Sequence, residues 1–361
     1  MQTFPLQPLT LAQAMQLQFR LVDSITTHFG GAEFLSCGDV GLVSGYNKPK
    51  YTAKVEAVLA DFFDAEACVL VRGAGTAAIR WGLWSMVEPN GSLLVHEAPV
   101  YPTTKTIISS MALQTTALDF NNPSMLQSSL AADSADCALI QYSRQKIDDN
   151  YAIAEVIRII SDKNIPIITD DNYVVMKTAK IGVQLGAALS AFSLFKLLGP
   201  EGIGCIVGKR SYIEKITAAN YSGGGQVQGH EAMDALRSLV YAPVALAIQA
   251  EVGAEVVKRL NDGELDGVKS AFIANAQSRV IIVELQEPNA PVIIKNAEKL
   301  GAAPHPVGAE SRYEIAPMFY RVSGTFRASI PDADSRLIRI NPMRSGADTV
   351  LRILAQALQG A

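Results

Sequence analysis

Seven short apolar runs lie between Cys68 and Val207, separated by stretches of helical length, and this alternation constrains the fold more than any other feature. The runs are Cys68–Val71, Ser92–Val95, Gln114–Leu118, Cys137–Gln141, Ile165–Thr169, Leu189–Ser193 and Gly204–Val207. Their continuous apolar character suits strands covered on both faces, and the spacing leaves room for a crossover helix between most neighbours. The expectation is an α/β fold with a mainly parallel seven-stranded sheet. The last two runs are too close together for a helix, which predicts a hairpin-like, locally antiparallel join.

The flanks add a second body. Leu11–His28 and Lys50–Phe63 have helical periodicity, and Phe34–Asn47 between them is a loop rich in glycine and aromatic residues, placed to cover a site. After a glycine-rich break at Ser222–Gly225, one long helical stretch runs from Gly229 to Asn261 with Pro243 inside it. Strand-like Val280–Leu285, a helix near Ala290–Leu300, strand-like Met318–Ser323 and Leu337–Ile340, and a final helix from Ala347 predict a small α+β domain. The expected divisions are an N-terminal helical segment at 1–45, a large domain at 46–245 and a small one at 246–361, with a helix about 229–260 between the last two.

With 361 residues, 49% of them apolar and 18% charged, the chain can fill two cores. A net charge of −4 provides no basic face to displace counterions, so nucleic acid is not an expected partner. Cys37, Cys68, Cys137 and Cys205 lack metal-type spacing, and the last three sit in strand-like runs as expected buried thiols. The first residues show no basic, apolar leader pattern and no run approaches the length of a membrane span, so the expected compartment is the cytoplasm.

Three constellations carry chemistry. Lys196 follows an apolar run and precedes Gly-Pro-Glu-Gly-Ile-Gly, and a lysine at a buried strand end is costly unless it is used, because desolvation penalises its ammonium form. A lysine at a sheet rim can also simply snorkel. Gly73-Ala74-Gly75-Thr76 joins a strand to a helix, where open amides and the helix dipole favour a phosphate. The same residues spell a dinucleotide fingerprint, with Glu97 ending the next strand as a ribose ligand would. Ile165–Thr169 runs into Asp170 and Asp171, and a carboxylate at a strand end can keep a pyridine nitrogen protonated as an electron sink. His96 at a strand end reads as structural.

In order and spacing, Gly75-Thr76, Tyr101, Asp170 or Asp171, Ser193 and Lys196 resemble the fold-type I pyridoxal-phosphate (PLP) enzymes over most of residues 45–345. Phe-Ser-x-x-Lys-Leu-Leu-Gly looks like the selenocysteine-synthase branch, and the chain as a whole resembles the enterobacterial YhfS proteins. The acidic balance and lack of a basic arm disfavour chemistry on transfer RNA. The resemblance implies a three-layer α/β/α large domain plus a small α+β C-terminal domain. It makes Lys196 the Schiff-base lysine, with Ser193 and the turn at Gly73, Ala74, Gly75 and Thr76 on the cofactor phosphate. Tyr101 would stack on the ring, with Thr104 as an extra polar contact. Asp170 or Asp171 would meet the pyridine nitrogen, and Tyr173 the phenolic oxygen. Gln141 and Ser143 stand where many transaminases carry Asn-Pro-x-Gly.

Family likeness also implies a homodimer, in which Tyr46 and the Ser222–Gln226 loop, including Gly224, reach a neighbour's site. Arg339 resembles the carboxylate-binding arginine, with Arg327 in reserve. The function so implied is a PLP-dependent transferase or lyase, acting on a small α-amino acid through a Cα carbanion. A nicotinamide-dependent oxidoreductase built on Gly73-Ala74-Gly75 and a catalytically silent PLP-fold protein are the competing readings.

Overall fold

The computed structural model describes residues 2–131, 134–275, 279–307, 310–322 and 330–360. All seven expected runs are strands: β1 (Ala67–Arg72), β2 (Ser92–His96), β3 (Gln114–Leu118), β4 (Cys137–Gln141), β5 (Ile167–Asp170), β6 (Leu189–Ser193) and β7 (Ile203–Gly208). They form one sheet in the order β1-β7-β6-β5-β4-β2-β3. β2 to β6 are parallel; β7 runs antiparallel to β6, as the short join predicts, and also to β1. Two details differ from the sequence reading. β5 starts at Ile167 because Pro166 has no N–H to give the ladder. β3 is a mostly exposed edge strand pairing only with β2, so its two threonines face water.

Helices α1 (Leu11–His28), α2 (Lys50–Phe62), α3 (Ala74–Met86), α4 (Pro102–Ser110), α5 (Pro123–Ser129), α6 (Ile153–Ser161) and α7 (Arg210–Ala219) precede or connect these strands. α3 packs Ala78, Ile79 and Leu83 onto Ile168, Leu189, Ala191 and Ile206 of the sheet. The amphipathic α6 buries Val156, Ile157, Ile159 and Ile160. Ala12–Ser143 and Asn150–Pro243 form this unit. Its cysteines Cys68, Cys137 and Cys205 are buried and unbridged, whereas Cys37 is exposed.

The second unit comprises Met1–Leu11, Arg144–Asp149 and Val244–Ala361. The Asn275 side-chain amide donates to the carbonyls of Lys146, Ile147 and Asp149 at 3.1, 2.8 and 2.7 Å, which draws a segment distant in sequence into this unit. Its four-stranded antiparallel sheet has the order β10-β11-β9-β8, from β8 (Val268–Ile273), β9 (Ile281–Leu285), β10 (Met318–Arg321) and β11 (Leu337–Asn341). β8 was not expected from the sequence. Ile281, Val283, Ile338 and Ile340 pack against Ile293 and Ala297 of α9 (Ala290–Lys299) and Val350, Leu351 and Leu354 of the terminal helix Ala347–Gln359.

Helix α8 (Gly229–Asn261) contributes its first half to the large unit and its second half to the small one. By length and composition it reaches what a membrane span requires, where the sequence reading expected no such run. Ala232, Met233, Leu236 and Leu239, and further on Val256 and Leu260, are buried within the protein, so this apolar face is core.

Candidate active site

The carboxyl ends of β4, β5 and β6 bring the chemistry-bearing residues together. Side chains alternate along a strand, so Ile168 and Asp170 of β5 point to the face covered by α3, while Thr169 and Asp171 point to the other. Gln141 of β4 stands beside Asp170 in register, and Ala191 of β6 flanks it on the far side. Asp170 is buried. Burial pushes its carboxyl above the usual range, against donors from Asn172 and the Lys196 ammonium, which favour the ion.

Lys196 sits in a 3₁₀ turn, Phe195–Leu197, immediately beyond β6. Its Nζ lies 3.8 Å from the centroid of the Tyr173 ring. Tyr173 and Lys196 therefore meet. Lys177, which sequence reasoning did not single out, is also buried, and its Nζ stands 5.6 Å from the same ring. Its only sequence signal is its position one helical turn after Tyr173.

Asp171 occupies a different environment. It is wholly buried, and its Oδ2 accepts the Gly182 N–H at 3.0 Å. The hydroxyls of Thr169 and Ser190, 3.0 Å apart, share its face of the sheet. Burial raises the Asp171 carboxyl to about 7, opposed by Ser190, the Gly182 amide and Thr169. Of the two adjacent aspartates, Asp170 is thus the one on the Lys196 side.

Asn172 joins three elements. Its backbone N–H and Nδ2 both donate to Asp170 Oδ1, at 3.1 and 2.7 Å, and its Oδ1 accepts the Ser193 N–H at 3.1 Å. A Cβ on Gly75 would lie 2.5 Å from Asn172 Oδ1, so the first turn of α3 presses on this amide. Gly204 permits a second close approach, since a Cβ there would stand 2.3 Å from the Ala74 carbonyl oxygen.

The turn at Gly73–Thr76 has fewer free amides than the sequence reading supposed. Gly73 and Ala74 donate their N–H groups to the Gly202 carbonyl at 2.7 and 3.0 Å. The donors aimed along the α3 axis are therefore those of Gly75 and Thr76, which open the helix and have no intrahelical acceptor. The same bonds engage the first two positions of the dinucleotide-like fingerprint. Thr76 Oγ1 meets Thr103 Oγ1 at 3.2 Å, so Thr103 is the α4 hydroxyl at this turn, while Thr104 is buried. Tyr101 caps α4 and is 42% exposed, open enough to stack on a ligand. Ser143 is buried beyond β4. His96 accepts the Phe120 N–H through Nδ1 at 3.1 Å and stacks on Phe120, a structural role.

Tyr46 and the Gly224 loop lie together beside the end of β1. Gln226 bridges Val71, and its Nε2 donates to the Asn47 carbonyl at 2.9 Å. Arg339 belongs to the small unit, where its guanidinium lies over the Tyr320 ring, 4.0 Å from the centroid. Arg327 is outside the described residues.

These residues fit PLP. The Ser193 hydroxyl is buried at the foot of the α3 turn with no hydrogen-bond partner among the described residues, as a phosphate ligand requires. Asp170 supplies a carboxylate, Lys196 an amine and Gly75-Thr76 two amides, all at one end of the sheet.

Comparison with known proteins agrees. A family model described as Aminotransferase class-V matches residues 150–240, and one described as YhfS-like, C-terminal domain, matches 254–354. The chain is 52% identical over 358 residues to the YhfS protein of Escherichia coli (strain K12), covering 99% of each. The crystal structure of the pyridoxal-5'-phosphate dependent protein YhfS from Escherichia coli matches with a TM-score of 0.99, covering 100% of both chains at 52% identity. At 15% identity, a methionine gamma lyase from Micromonospora echinospora has a TM-score of 0.74, covering 95% of this chain and 99% of that one. A cystathionine gamma synthase from Xanthomonas oryzae pv. oryzae, also 15% identical, has a TM-score of 0.70 over 91% and 93%. With its sheet order, its lysine turn and a relative alike from end to end, this chain belongs to the YhfS family of fold-type I, PLP-dependent enzymes.

Proposed function

We propose that this enzyme works on a small α-amino acid at its Cα, as a lyase or an aminotransferase, with Lys196 as the group that holds the cofactor and moves the proton. The observation that carries the reading is the Lys196 amine 3.8 Å from the Tyr173 ring, beside the buried Asp170 carboxylate. When bound, PLP supplies an electron sink for the pair left on Cα when a bond there breaks. Asp170 would hold the proton on the cofactor's ring nitrogen. Ser193 Oγ and the amides of Gly75 and Thr76 would bind the phosphate, and Tyr101 would cover the ring. Lys196 is the base nearest this arrangement, suited to take and return a proton at Cα once its amine is neutral. The fold likeness to a gamma lyase and a gamma synthase supports the lyase side of the reading. Arg339, over the Tyr320 ring, offers a planar fork suited to an α-carboxylate.

A homodimer accords with the apolar residues exposed on one stretch of the large unit: Met15, Phe19 and Val22 along α1, then Leu35, Val40 and Leu42. Light scattering in solution tests it.

Borohydride reduction of the purified holoenzyme tests the central assignment. The cofactor should become fixed to the peptide carrying Lys196, and Lys196→Ala should lose the visible absorption band. Fixation to another lysine would refute it. Screening amino acids for shifts of that band then separates lyase from aminotransferase, by release of an α-keto product with or without transfer of the amino group.

A further inference from the structure

We infer that Asn172 is the positioning residue that keeps Asp170 ionised and aimed, and that residue 75 is glycine so that Asn172 can lie where it does. The inference rests on the reading that Asp170 meets the cofactor's ring nitrogen. A carboxylate in a dry site reverts to its neutral form unless donors stabilise the ion. Asn172 provides two donors, its N–H at 3.1 Å and its Nδ2 at 2.7 Å, and both converge on Oδ1 of Asp170. No described hydrogen bond uses Oδ2, which leaves that oxygen for the cofactor.

The orientation of the amide follows from its neighbours. Asn172 Oδ1 accepts the Ser193 N–H at 3.1 Å, so turning the amide over would set oxygen against carboxylate and NH₂ against N–H. One side chain thereby ties the Asp170 carboxylate at the end of β5 to the residue proposed to bind phosphate at the end of β6. The α3 turn closes on the same amide. A Cβ at position 75 would stand 2.5 Å from Asn172 Oδ1 and 2.6 Å from Nδ2, so any larger residue displaces it. Shorter side chains at 172 cannot reach both partners, and aspartate would place like charge against Asp170.

The test compares Asn172→Leu, Asn172→Ala, Gly75→Ala and Asp170→Asn with the parent enzyme. The leucine keeps the branched outline of the side chain, at a somewhat larger volume, and discards its polarity, so a role confined to filling space would leave it close to the parent. Two readouts are independent of turnover: the dissociation constant of PLP, and the pH at which the ring nitrogen of bound, ¹⁵N-labelled PLP loses its proton. Asn172→Leu and Asn172→Ala should weaken binding about 10- to 100-fold, the worth of a charge-assisted hydrogen bond, and lower the deprotonation pH by about one unit or more.

Gly75→Ala should reproduce the loss. Added to Asn172→Ala it should cost little more, because its methyl then occupies space the amide has vacated. This cycle also carries the test if the leucine variant does not fold. If both Asn172 variants keep parent affinity and deprotonation pH while Asp170→Asn loses them, the positioning role is refuted and the Asp170 assignment stands. If Asp170→Asn also matches the parent, the assignment fails and the inference fails with it.

Discussion

Replacing Asp171 by asparagine should stabilise the protein at neutral pH and above, and not in acid. Asp171 is fully buried, and its carboxyl is raised from 3.8 to about 7 chiefly by desolvation. A shift of about three units corresponds to about 4 kcal/mol between its two protonation states. The sign follows from proton linkage. The folded state binds this proton more tightly than the unfolded chain, so folding stability falls as pH rises from about 4 to about 7 and is level beyond. Below the unfolded pKa both states are protonated and the residue contributes no pH dependence.

The amide oxygen of the replacement would still accept the Gly182 N–H now bonded at 3.0 Å, and the side chain would not ionise. Denaturant unfolding of the apoprotein and of Asp171→Asn, measured from pH 4.5 to 8.5, isolates the effect as a difference curve. Groups with opposite slopes, such as Glu33 lowered to about 2, cancel in that difference. The curve should climb by up to about 4 kcal/mol between pH 4 and 7 and then flatten. A curve flat to within about 1 kcal/mol, near the scale of an ordinary surface effect, would refute the claim that Asp171 is a dry, raised carboxyl. In the same preparations Asp171→Asn should keep PLP binding and Asp170→Asn should lose it. The reverse would exchange the two roles.

Further outcomes follow from packing. Gly204→Ala should lower the melting temperature by several degrees and weaken PLP binding, because its Cβ would stand 2.3 Å from the Ala74 carbonyl oxygen and force β7 off the α3 turn; unchanged melting and affinity would show that the turn tolerates the shift. His96→Phe should cost about 1–3 kcal/mol by leaving the Phe120 N–H without its acceptor, while the cofactor absorption stays as in the parent. An altered absorption spectrum would give His96 a part in the site.

The local sequence determined the strands, and with them the class of fold. Runs such as residues 137–140 are apolar throughout because both faces of a central strand are covered, and that composition is visible without knowing the neighbours. The short link between Ser193 and Gly204 leaves no length for a crossover helix, so the antiparallel join of β6 and β7 was legible too. So was the lysine turn, whose residues are consecutive. β8 was not, because Val268–Ile273 is half exposed and gains strand character only by pairing with β9.

The site's finer choices belong to tertiary structure, since each depends on a partner far along the chain. Asp170 and Asp171 are chemically identical neighbours, and only the face covered by α3 separates a carboxylate beside Lys196 from one closed in with Gly182. Gly73 and Ala74 look like phosphate donors until Gly202, just before β7, brings its carbonyl to accept both N–H groups. Thr103 carries no motif of its own, and Asn172, which with Asp171 resembles the Asp-Asn pair of cystathionine lyases, shows no partner in the sequence. They are drawn into the site by Thr76 and by Asp170, Ser193 and Gly75, because hydrogen bonds and steric contacts act over ångströms in space, whatever the separation in sequence.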